Sequence, residues 1–122
     1  MTWLIYVSYF FGGIFLGNAI PHFVSGTMGR AFQSPFAQPP GKALSSALVN
    51  VLWGAFNIVV GYVLVLRVGT FDLRDTWDAV ALGAGFVIIG TVSARLFGPF
   101  HGGDMKGGVK LDAAFPREYR EL

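Results

Sequence analysis

The 122-residue chain has no cysteine, which excludes disulfides, thiol catalysis, zinc ribbons and cysteine-held iron–sulfur clusters. Charge is almost as scarce. Nine Lys and Arg and seven Asp and Glu make up 13% of the residues, against about 25% in a soluble domain. The scarcity is also uneven: between Met1 and Leu66 the only charged residues are Arg30 and Lys42, whereas eight crowd into residues 104–122. Sixteen charges cannot cover the surface of so small a globule, so a soluble enzyme domain is excluded. Several chemical signatures are missing as well. There is no phosphate-cradling Walker loop, no dinucleotide glycine signature after a strand, no serine-centred elbow and no pair of intramembrane carboxylates.

What is present is apolar. Hydrophobic residues make up 53% of the chain and the mean hydropathy is +0.56. The fold class expected is an all-α integral membrane protein, a bundle of three transmembrane helices. Residues 3–24 and 43–66 are uncharged and reach about 33–36 Å at helical rise, enough for the hydrocarbon core. Residues 77–97 form a third span with Asp78 and Arg95 near its ends, so Arg95 is expected to snorkel to one surface. The first span lacks a basic n-region and a small-x-small cleavage site, and reads as a retained span rather than a signal peptide.

Residues 25–42 carry Pro35, Pro39 and Pro40 together with Gly26, Gly29 and Gly41, and are expected to form an interfacial loop or to fold back on the bundle. Gly98 and Pro99 are expected to end the third helix, after which residues 104–122 form a charged tail beyond a transmembrane domain of residues 1–103. The segments after the first and third spans hold Arg30, Lys42, Lys106, Lys110, Arg117 and Arg120. Arg67 and Arg74, between the second and third, are diluted by Asp72, Asp75 and Asp78. The location expected is a cell inner membrane, and the positive-inside rule puts the N-terminus outside and the C-terminus in the cytoplasm.

Projection at 100° per residue gathers Ala43, Ser46, Asn50, Gly54, Asn57 and Gly61 into a sector of about 80° on the second span. Ser8, Gly12, Asn18 and His22 share one side of the first span, with Gly13 and Gly17 nearly opposite as a candidate face for self-association; the third span has Ala79, Gly83, Gly90 and Ala94. Depths counted from the expected span ends put Asn18 and Asn50 both about 9–10 Å into the bilayer. That arithmetic sets Asn18 opposite Asn50 and His22 opposite Ser46, and leaves Asn57 apart near the midplane.

Two readings of this polar layer follow. The amides hold the helices together, or Asn18, His22, Ser46, Asn50 and Asn57 line a permeation or small-solute binding site in a homo-oligomer. An accessory subunit of a larger membrane complex is the alternative. A third reading, an embedded enzyme or lipid-headgroup binder, draws on Arg95, His101 and Asp104 near one surface. No catalytic residue, metal ligand set or cofactor is nominated. The partners expected are the lipid bilayer and either a second copy or a larger membrane protein, with no nucleic acid.

Overall fold

A computed structural model describes residues 2–103. It contains three long helices, α1 (Trp3–Thr27), α2 (Ala47–Leu66) and α3 (Thr76–His101), each long and apolar enough to cross a membrane. The expected charged tail, residues 104–122, lies outside the described residues.

Residues Met1–Gly90 form one compact unit, and α1 is its central helix. One face of α1 packs antiparallel on α2. A Cβ on Gly54 would lie 2.8 Å from the Cβ and backbone nitrogen of Phe23, and one on Gly61 would lie 2.6 Å from Leu16 Cγ. The buried residues of α2 are Asn50, Gly54, Asn57, Gly61 and Val65, so the small and polar stripe read from the sequence is the face turned to α1.

A different face of α1 packs on α3. A Cβ on Gly13 would collide with the carbonyl of Leu82 and one on Gly85 with the carbonyl of Phe10, while Gly17 lies against Ile89 and Phe86. Glycine on both helices lets the backbones touch. The Gly13/Gly17 face is therefore not left over for self-association, because α3 already covers it. The small-residue stripe of α3 does not meet α1 at its glycines: a Cβ on Gly83 or Gly90 would meet nothing within 4 Å.

The helix ends also differ from expectation. α1 runs on to Thr27, where Arg30 N donates to Ser25 O and Gly29 takes φ 73°, a glycine C-terminal motif. α2 starts only at Ala47, with Ser46 as its N-cap: the Ser46 hydroxyl accepts from Val49 N at 3.2 Å. Between them, β1 (Phe32–Gln33) and β2 (Leu44–Ser45) pair antiparallel, Phe32 opposite Ser45 and Gln33 opposite Leu44. This loop folds back on the bundle and buries Phe32, Gln33 and Ser34. At the other end of the hairpin, Asp75 caps α3 by accepting from Trp77 N at 2.9 Å and Asp78 N at 3.1 Å.

The second unit, Thr91–Leu122, contains the described end of α3. The helix does not stop at Gly98-Pro99 but runs through Pro99 to His101; Gly102 then takes φ 76° and Gly103 N donates to Gly98 O at 2.9 Å.

Candidate functional site

The polar side chains of α1 and α2 meet along one seam, and each has a partner. Ser8 donates to Leu64 O at 2.6 Å. Farther along, Asn18 Nδ2 donates to Asn57 Oδ1 at 3.1 Å, and Asn57 Nδ2 donates to Trp53 O at 2.8 Å, back-bonding one turn along its own helix. His22 Nδ1 lies 2.8 Å from Asn50 Oδ1. An amide oxygen only accepts, so the ring N–H is the donor and sits on Nδ1.

Asn50 is the centre of the seam. Its Nδ2 is surrounded by three carbonyls, those of Phe32 at 3.1 Å, Ser45 at 3.1 Å and Ser46 at 3.0 Å. Three acceptors around the nitrogen fix the amide orientation and leave Oδ1 for His22. One side chain thus ties α1, the start of α2 and both loop strands together. The loop adds its own polar contacts: Ser34 Oγ bonds Ser45 Oγ and accepts from Phe36 N at 3.1 Å, and Ser34 O accepts from Gly41 N at 2.9 Å. Apolar rings enclose this layer, with Phe32 edge-on to His22 at 5.5 Å and Phe36 edge-on to Trp53 at 5.1 Å. Asn50 and Asn57 are 0% and 1% exposed and His22 is 2% exposed, so these three side chains are closed off from the outside, while Asn18 is half-buried.

The expected pairing is corrected by this geometry. Asn18 faces Asn57 rather than Asn50, and His22 faces Asn50 rather than Ser46. Asn57 does not stand apart. The cause is the two helix ends: α1 extends three residues beyond Val24 and α2 starts four residues after Ala43, so the antiparallel register slides by about two turns. Ser46 belongs to the cap and the loop, not to the interhelical face.

Arg95 and His101 are exposed on the end of α3, six positions apart on the helix and therefore not on one face. Asp104 lies outside the described residues.

Sequence reasoning missed Gln33 and Ser34, which are buried by the loop, and Tyr9, which is fully buried with Tyr6 and Phe71 edge-on to it at 6.2 and 5.1 Å. Among the described residues the Tyr9 hydroxyl and the Trp53 indole N–H are buried without a hydrogen-bond partner. A tyrosine in an aromatic-rich N-terminal segment carries no pattern that separates it from a membrane-interface anchor.

No family model, curated protein or solved structure matches the chain.

The Asn18–Asn57 pair is expected to contribute a coupling of about 0.6–2 kcal/mol. A double-mutant cycle of Asn18→Leu and Asn57→Leu, read by thermal unfolding in detergent, measures it. The double variant is expected to be more stable than the sum of the two singles, because each single removes the cross-helix partner of the other amide.

Proposed function

We propose that the chain is a non-catalytic integral membrane subunit, with its N-terminus outside and C-terminus in the cytoplasm, that packs against a larger membrane protein. The observation that supports this most is the closure of the polar seam. The amides of Asn18, Asn50 and Asn57 and the Nδ1 of His22 are engaged within the α1–α2 hairpin, which favours a structural role for them over the lining of a permeation path. The grooves over Phe36 and Trp53, over Leu16 and Ile58, and over Tyr6 and Trp77 are apolar, as suits contact with lipid or helix.

The face offered to the partner is the outer side of α3. Gly83 and Gly90 lie on it with open space where a Cβ would be, whereas Gly85 is used against α1. A glycine in a helix interior costs about 1 kcal/mol relative to alanine, and on a lipid-facing surface nothing offsets that cost. Close approach of another helix does.

Native mass spectrometry of the protein released from its own membrane in mild detergent tests this reading. A heteromer of fixed stoichiometry is expected, and Gly83→Leu with Gly90→Leu is expected to release the chain as a folded monomer. A homo-oligomer unaffected by those substitutions contradicts the packing assignment.

A further inference from the structure

A groove lies on the side of the bundle where the loop folds back, and its composition points to an occupant. It measures about 520 Å³ and is lined by Phe36 from the loop and Val49, Leu52, Trp53 and Phe56 from the first half of α2. That volume falls within the roughly 300–1,000 Å³ of sites for small apolar ligands. The groove has an aromatic wall: Trp53 stacks on Phe56 with ring centres 5.6 Å apart, and Phe36 stands edge-on to Trp53. Phe36, Leu52 and Phe56 are each more than half exposed, so the groove opens sideways, toward what surrounds α2, and not into the bundle.

The loop that supplies Phe36 also carries charge of one sign. Arg30 and Lys42 lie six residues to either side of Phe36 and are both exposed. No acidic residue precedes Asp72 in the chain, so the first helical hairpin contains no counter-charge for them. Aromatic residues and cations at the end of a span are the chemistry of the bilayer interface, where each exposed Lys or Arg favours anionic lipid.

We infer that this groove holds one acyl chain of an anionic phospholipid whose headgroup lies in the field of the exposed loop cations Arg30 and Lys42. The inference rests on the membrane placement proposed above. The occupant enters laterally from the leaflet at the loop end of α2. Its chain lies along Val49, Leu52 and Phe56, and the Phe36 ring closes the groove on the headgroup side. The phosphate supplies the negative charge that the first 71 residues of the protein lack.

Fluorescence quenching in bilayers tests this. Trp3→Phe with Trp77→Phe leaves Trp53 as the single tryptophan of three. The protein is reconstituted in phosphatidylcholine vesicles containing a small fraction of either brominated phosphatidylglycerol or brominated phosphatidylcholine. Brominated phosphatidylglycerol is expected to quench Trp53 at a mole fraction on the order of tenfold lower, from two surface cations. The preference is expected to vanish in Arg30→Gln with Lys42→Gln, which alters only exposed side chains, and in Val49→Phe, which fills the groove and leaves the charges in place. Equal quenching by the two lipids overturns the inference. A preference that survives Val49→Phe overturns it too, because it places the headgroup on the loop without a chain in the groove. Absence of quenching at Trp53, with Trp3 and Trp77 quenched in the wild-type chain, overturns it in favour of a protein segment covering the groove. Absence of quenching at all three tryptophans refutes the membrane placement itself.

Discussion

Replacing Asn50 with leucine is expected to lower stability by about 3 kcal/mol or more, the largest loss from any single polar side chain in the protein. The reason is the number of groups that depend on it. The buried carbonyl of Phe32 loses a donor and the buried His22 Nδ1–H its acceptor, and the half-buried loop end at Ser45 loses its tie to α2, while Ser46 O keeps its helix bond from Asn50 N. Each buried group left unsatisfied costs roughly 1–3 kcal/mol, and leucine is not able to repack a site built from carbonyls. Thermal unfolding in detergent reads the loss, with a fall in Tm of more than about 10 °C. Proteolysis should then cut residues 28–46 while α1 and α2 remain intact. Asn50→Asp separates hydrogen bonding from size: it keeps the acceptor for His22 but turns an oxygen toward three carbonyls, and is expected to cost as much as leucine. Ser46→Ala removes only the α2 cap and is expected to cost about 1 kcal/mol.

The second large effect has a sign that depends on position. Gly85→Ala is expected to destabilise strongly, because the new Cβ falls on the Phe10 carbonyl and forces two backbones apart. Gly83→Ala, two residues away, is expected to stabilise the isolated protein by about 0.5–1 kcal/mol, since its Cβ enters open space and alanine is the better helix former. Thermal melts of the two variants side by side distinguish the faces of α3. If Gly83→Ala also destabilised the isolated chain, α3 would have a different rotation about its axis.

How far the sequence reveals this arrangement depends on the helix. On α2 the stripe of Asn50, Gly54, Asn57 and Gly61 is legible because all the other positions are apolar and, Ala47 and Ala55 aside, large, so a single face is marked. On α1 the matching side is marked by its polar residues Ser8, Asn18 and His22, because its glycines lie on more than one face. The register between the two helices is not legible, because it depends on where each helix ends. Those ends are set by a glycine motif at Gly29 and by the Ser46 cap, local features that compete with many similar candidates in a loop rich in Gly, Ser and Pro. A two-residue ladder such as Phe32–Gln33 with Leu44–Ser45 has no alternation to detect, so the partners of Asn50 were invisible. On α3 glycines mark two faces. Only the close approach of Phe10 shows that Gly85, and not Gly83 or Gly90, meets α1.

The role proposed for the amides of Asn18, Asn50 and Asn57 is to join the fold rather than to line a path. Stopped-flow swelling of vesicles containing the purified protein, with a graded series of small polar and ionic solutes, tests it most directly. Permeability is expected to equal that of protein-free vesicles and to be unchanged in Asn18→Leu with Asn57→Leu. Permeability raised by the wild-type protein and abolished by that double substitution would contradict it.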